Sequence, residues 1–291
     1  MALAASNVGR TWGPVVGLLD ARRTMAYAAG IGDDAAAYFD TSVQYLPVHP
    51  LYPVSPEWSL LVTDVAADEP WSRADALFGV HATHDLTLHR KLHAGMEYSL
   101  MATVVSLEQR RPGAYQVIRF DARDANGRML WTSWSGTLFR GVAIDGQPTA
   151  IDGPAPVATA YGDQPIKCGR FVVTLIDPHI YSECARIWNP IHTDVSIARQ
   201  AGLDGVILHG TATLAKSVTQ LSNWLGINPD EVRHIACRFV SPARPGDVLS
   251  VRAYKPQMGK TGTSIGFDVT DAGGRTIVGD GLLELGRPIP A

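Results

Sequence analysis

A chain of 291 residues, 46% apolar and 18% charged, is long enough for one large domain or two ordinary ones and too apolar to stay disordered. Its formal charge of −3, without any basic arm, gives no reason to expect nucleic acid, and three widely spaced cysteines, Cys168, Cys184 and Cys237, argue against a disulfide framework and suit a reducing compartment. No window approaches the ~18 continuous apolar residues of a membrane span, and the first residues lack the basic start and apolar core of a secretion signal, so a soluble cytoplasmic protein is expected.

Residues 1–14 read as an irregular lead-in. The stretch 18–29 has helical spacing and runs into Gly30-Ile31-Gly32. Residues 45–54, YLPVHPLYPV, are proline-rich and extended, and 57–66 read as a short apolar helix. His81, His84, His89 and His93 follow at spacings that fit no standard zinc pattern, so a hairpin surface is the simpler reading and no metal is expected. Strands are expected at 98–107 and 129–139, on either side of the hairpin turn in FDARDANGR, 120–128. The following segment, 141–164, is rich in Gly, Pro and Ala without apolar periodicity and reads as a linker. Beyond it, KCGRFVVTLID opens a second half in which FDVTDAGGR, 267–275, aligns in register with 120–128, again between strand-like runs at 248–254 and 276–285. Each half, 1–140 and 165–291, therefore reads as a helix followed by a meander of strands.

The most site-like run lies between Tyr181 and Thr213. Pro190 fixes its own φ and pushes Asn189 out of the helical region, so His192 stands on a constrained turn. Asp194 is a natural N-cap for a helix over 195–201, with Gly202 and Gly205 as the stop. After Val206, Ile207 and Leu208, the sequence His209-Gly210-Thr211 opens a helix reaching Leu225, whose first N–H groups are unpaired donors at the positive end of a dipole. A base on a stiff turn and an anion hole close by in sequence point to carbonyl or thioester chemistry. Each residue also has a structural reading: His192 as a turn histidine satisfied by backbone, Asn189 as a turn former, Asp194 as a cap first, His209 as a core histidine. No Gly-x-Ser-x-Gly elbow, activated cysteine or dinucleotide loop is present, so neither a Ser or Cys nucleophile nor a cofactor is expected.

This run resembles the hydratase signature of the MaoC-like (R)-specific enoyl-CoA hydratases and 3-hydroxyacyl-thioester dehydratases. Tyr181, Asn189, Pro190, Ile191 and His192 match it, and the downstream apolar-His-Gly run resembles the start of that family's central helix. The resemblance implies an α+β tandem (double) hot-dog fold, each half an antiparallel sheet wrapped around a central helix. It also implies a hydratase or dehydratase interconverting a 2-enoyl and a 3-hydroxyacyl thioester, with CoA the expected carrier. His192, Asn189 and Asp194 would then be catalytic, Gly210 would polarise the carbonyl, and Tyr181, His209 and Thr211 would meet the substrate. One departure matters: the pattern's Gly-Asp falls on Arg186 and Ile187, so the acid/base aspartate is replaced. Setting Tyr27 over Tyr181 places Gly32-Asp33 on that Gly-Asp, but with Ala35, Ala36 and Tyr38 where Asn, Pro and His belong, which leaves Asp33 as the first half's only matching carboxylate. An acyl-CoA thioesterase, or a non-catalytic thioester-binding subunit completed by a partner, are the alternatives. Pairing of sheet edges makes a homodimer of tandem chains expected, with a hetero-partner as the other option. Arg233, Arg244 and Lys260 are the basic side chains offered to carrier phosphates.

Overall fold

The computed structural model describes residues 2–65, 79–155, 164–165, 167–259 and 262–286. The first half contributes β2 (Thr11–Leu18), β3 (Gly79–Leu88), β4 (Glu97–Arg110), β5 (Gly113–Arg123) and β6 (Met129–Arg140). The second contributes β9 (Lys167–Val172), β10 (Val232–Phe239), β11 (Val248–Ala253), the short β12 (Gln257–Met258) that pairs only with the next strand, β13 (Thr263–Thr270), and β14 (Thr276–Leu285). Edge to edge the order is β2-β4-β5-β6-β3-β10-β14-β13-β11-β9, which reads as the same arrangement twice, reflected about β3 and β10. Those two strands pair antiparallel with Leu86 opposite Ile235, both fully buried, so one edge of each half is consumed by the other. This is the tandem hot-dog, joined into one sheet.

Each half folds its sheet around helices. In the first, α1 (Ala21–Ile31) begins at Asp20, whose carboxylate accepts the Arg23 N–H at 3.0 Å, and ends at Gly32 in the left-handed region. Its buried residues Thr24, Tyr27, Ala28 and Ile31 fall on one stripe. The equivalent helix of the second half, α3 (Asp177–Ala185), packs directly against it. A Cβ on Gly30 would stand 2.5 Å from the Cβ of Cys184, so only glycine permits that approach. Tyr27 and Tyr181 meet there with hydroxyls 3.4 Å apart, which brings the two aligned tyrosines onto one axis.

The central helices differ. In the second half α5 (Gly210–Leu225) is 16 residues long, buries Ala212, Leu214, Ala215, Val218 and Leu221, and stops at Gly226. In the first half α2 (Val54–Leu60) has seven residues and passes into one wide turn, Leu61–Val65. The helix expected over 57–66 thus starts three residues earlier; Pro56 lies in its first turn, where a missing N–H is tolerated, and Ala66 lies outside the described residues.

Two other expectations are corrected. Residues 1–14 are not irregular: β1 (Ala2–Ala4) runs parallel to β7 (Ala143–Asp145), and β2 already starts at Thr11. The segment read as a linker supplies β7 and also β8 (Thr149–Ala150), which pairs with β4; the remainder of that segment through residue 163 is outside the described residues from 156 onward. Such short, largely exposed strands carry no alternation to read and exist because a partner's backbone accepts them. Among the described residues no helix is long and apolar enough to cross a membrane.

The joint between the halves also carries charge. On β10, His234 is held between Asp85 of β3 at 2.9 Å and Glu284 of β14 at 3.0 Å. Burial lowers its pKa, but the bonds and charges of Asp85 and Glu284 outweigh this and hold it above the usual histidine range. Its contribution to stability is therefore complete below the unfolded value near ~6.5 and is lost as pH rises through the folded value. Urea titrations above neutrality should show stability falling with pH, and His234→Gln should flatten that slope; an unchanged slope would remove the pair from the account.

Candidate active site

The stiff turn is present as a single 3₁₀ turn, Pro190–His192, preceded by Asn189 at φ −120° and ψ 121°, the extended conformation that a following proline demands. Asn189 Oδ1 accepts the Ile191 N–H at 3.4 Å, a turn-forming bond. Just before it, Arg186 caps α3 at φ 57° and ψ 38°, in the left-handed region. This is where the family pattern has glycine: the backbone shape persists although the residue does not, at a cost of roughly 1 kcal/mol. Arg186→Gly is expected to raise the thermal midpoint; a lower one would show that the arginine's contact over Trp188 outweighs the strain.

His192 is buried, and its Nδ1 lies 2.8 Å from the carbonyl oxygen of Ile207. A carbonyl only accepts, so Nδ1 carries the proton and Nε2 carries the lone pair. His209 stacks on it, ring centroids 3.5 Å apart and 22° from parallel. Its Nε2 donates to the Ile187 carbonyl at 3.0 Å and lies 3.3 Å from Ser182 Oγ, while its buried Nδ1 has no partner among the described residues. Burial pushes His192 down to about 4, partly opposed by the Ile207 carbonyl. Burial and the charge that His192 would carry push His209 well below the ordinary value. Two facing neutral imidazoles are the stable state.

His209 is also the N-cap of α5 and makes no side-chain cap bond, so the first N–H groups of that helix stay uncapped by it. Gly210, the first helical residue, lies against Phe239: a Cβ there would be 3.1 Å from two ring carbons. Thr211 accepts the Tyr181 hydroxyl at 3.0 Å.

These groups border one cavity of about 710 Å³ that extends into the first half. Asn189, His192, His209, Gly210 and Thr211 line it; Tyr181 does not, and sits behind Thr211 as its support. Asp194 is an exposed helix cap, accepting the Ser196 and Ile197 N–H groups at 2.7 and 3.1 Å at the start of α4 (Val195–Gln200), and is not in the lining. Asp33 is also elsewhere. Its buried carboxylate accepts the Thr219 hydroxyl at 2.8 Å and the Ala35 N–H at 3.1 Å. Ile187 lines the cavity with an apolar side chain where the family pattern has its acid. Of the basic side chains offered to phosphates, Arg233 donates to the Asp230 and Val232 carbonyls, Arg244 pairs with Asp204, and Lys260 is outside the described residues.

Glu57, Gln116 and Ser135 line the cavity although the sequence reading gave them no role, and so do His81 and His84, which it assigned to a hairpin surface. Glu57 is the one carboxylate of the described lining. Its Oε1 accepts Trp131 Nε1–H at 2.9 Å and Ser133 Oγ–H at 2.7 Å, and burial raises it to about 8 against the opposing pull of those bonds. His81 and His84 are inward-facing and not on a hairpin surface, whereas His89 bonds Thr132 and His93 packs on Tyr45.

Comparison with known proteins follows the same lines. Residues 164–272 match the MaoC like domain family. The chain is 24% identical over 298 residues to 3-hydroxyacyl-thioester dehydratase Y of Mycobacterium tuberculosis, covering 98% of this chain and 99% of that protein. It is 29% identical over 176 residues to peroxisomal multifunctional enzyme type 2 of Drosophila melanogaster, covering 60% of this chain and 28% of that one. It thus spans little more than a quarter of the peroxisomal enzyme but nearly all of the dehydratase. In fold it resembles a MaoC-like dehydratase from Phytophthora capsici, with a TM-score of 0.79 at 21% identity over 97% of both chains. A Mycobacterium tuberculosis protein described as a double hotdog fold superimposes with a TM-score of 0.62 at 14% identity over 96% of each.

Proposed function

We propose that this chain, which carries a MaoC-like domain over residues 164–272, hydrates a 2-enoyl thioester to the 3-hydroxyacyl thioester and catalyses the reverse dehydration, with CoA as the carrier. A role in hydration or dehydration is supported by the family and by the relatives. The observation that carries the finer reading is the pairing, on one cavity wall, of a histidine with a free Nε2 lone pair and an uncapped helix start at Gly210.

In this scheme the thioester oxygen lies at the start of α5, where backbone N–H groups take up the negative charge that develops when the C2–C3 double bond is attacked; one such donor is typically worth about 3 kcal/mol. His192 Nε2 removes a proton from water as its oxygen bonds to C3. The resulting imidazolium returns that proton to C2, so water is added with no net change in the protein. With Ile187 in place of the aspartate, one imidazole performs both transfers. The neighbouring His209 fixes the ring's plane by stacking, and Asn189 fixes the turn beneath it. Asp194 acts through its helix cap and Tyr181 through Thr211.

The test is incubation with 2-enoyl-CoAs of varied length, recording loss of the conjugated-enone absorbance and release of free thiol in parallel, with His192→Ala as the control. Absorbance lost without thiol, and retained in the variant, is the expected result. Thiol release would reassign the chain as a thioesterase. Silence in both channels would favour a thioester-binding subunit that a partner completes.

A further inference from the structure

The first-half wall of the cavity holds polar groups that this scheme does not use. Across β5, β6 and β3, two successive rungs of the sheet are Gln116, Thr137, His81 and Ile118, Ser135, His84. All six line the cavity, and five of the six are polar. A wall that met only hydrocarbon would be apolar, because polar groups facing an apolar ligand lose water and gain nothing. His84 is 2% exposed and Gln116 1% exposed, yet neither ring nitrogen of His84 nor Nε2 of Gln116 has a partner among the described residues. Buried groups of this kind are normally satisfied, so their donors and acceptor await something that enters the cavity.

The strip is also uncharged. Burial keeps the His81 and His84 rings neutral, down to about 4 and about 3, and Glu57 of α2, which accepts from Ser133 two residues before Ser135 on β6, is a neutral acid near pH 7. Arg140, the one cation of the described lining apart from histidines, closes β6 three residues beyond Thr137, off both rungs, and donates to the Ala201 carbonyl. A hydroxyl or oxo oxygen suits such a strip; a carboxylate there would be a buried charge without a counter-ion beside it. The place along the substrate follows from Phe239, which lies against Gly210 and has its ring 4.8 Å from the His81 ring. One aromatic ring therefore touches both the strip and the helix start, which places the strip near the reacting end of the cavity.

We infer that His81, His84, Gln116, Ser135 and Thr137 form a specificity subsite for an uncharged oxygen function, a hydroxyl or oxo group, carried on the acyl chain beyond the reacting carbons. This rests on the acyl-thioester reading and names the class of acyl group that the cavity selects.

Binding can be tested without turnover. Saturated acyl-CoAs of one chain length, which cannot be hydrated, carry a hydroxyl or oxo group at successive carbons beyond C3, so that none can be dehydrated either, a terminal carboxylate, or neither, and are titrated calorimetrically against the full chain. One oxygenated position is expected to bind about 10- to 100-fold more tightly than the plain chain. Gln116→Leu and His84→Phe, each checked for a native circular-dichroism spectrum, should remove most of that difference while leaving plain-chain binding equal or better. Equal binding of plain and oxygenated chains by the unmodified protein, or preference for the carboxylate, overturns the subsite. Hydration of enoyl-CoAs without any such preference overturns the subsite alone. Selective binding without hydration overturns the hydratase reading and leaves the subsite standing.

Discussion

His192→Gln is expected to lower kcat for enoyl-thioester hydration by about 10²- to 10⁴-fold with little change in KM, the usual worth of a positioned general base. Glutamine retains an N–H that can reach the Ile207 carbonyl, so the loss measures the missing lone pair and not a collapsed turn. The pH profile separates this base from an ordinary histidine. His192 must be neutral to accept a proton, and burial pushes it down to about 4, so initial rates after a rapid pH jump should stay level from 7 through 6 and fall only towards 4. An acid limb centred near ~6.5 would mean a solvated histidine and another base. A variant with unchanged kcat would leave His192 as a turn residue.

The second large effect is on stability in acid. His49, His84, His192 and His209 are 1%, 2%, 8% and 2% exposed, and burial lowers all four below the ordinary histidine value. The unfolded chain binds protons on these residues from near ~6.5 downward while the folded chain does not, so stability falls as pH falls, by up to about 1.4 kcal/mol per pH unit for each. Four together reach up to ~5.5 kcal/mol per pH unit, less ~1.4 for Glu57, whose raised carboxyl works in the opposite sense, against a typical total of ~5–15 kcal/mol, so the protein should unfold well above pH 4. Urea midpoints should drop steeply between pH 7 and 5.5, and His84→Phe should make the drop shallower by up to ~1.4 kcal/mol per pH unit. A midpoint indifferent to pH over that range would show that the four rings gain partners when protonated. Together with the opposite dependence of His234, this sets the stability maximum near neutrality.

Some of this protein was legible in the residues alone. Asn189-Pro190-Ile191-His192 determined its own turn, because proline restricts both itself and its predecessor. Asp194 marked a helix start, Gly32 a helix end, and the repeated Asp-Ala-x-Gly turns the matching hairpins, since each acts over a few bonds. Local chemistry of that kind needs no tertiary partner.

What needed the fold were the positions whose role depends on a distant chain. Asp33 matched the missing carboxylate in alignment, yet it bonds Thr219 of the other half and stays out of the cavity. His81 and His84 read as a hairpin surface because their spacings fit no zinc pattern, and on a regular strand a three-residue spacing would put their side chains on opposite faces. A bulge between His81 and Thr83 returns both to the inner face, with rings 5.4 Å apart, and a bulge is set by the pairing with β6, not by the strand's own residues. Glu57 likewise gained its neighbours, Trp131 and Ser133, from more than 70 positions away. Turns and caps are fixed by short-range sterics and hydrogen bonds, whereas the cavity wall exists only once both halves of the sheet have closed around their helices.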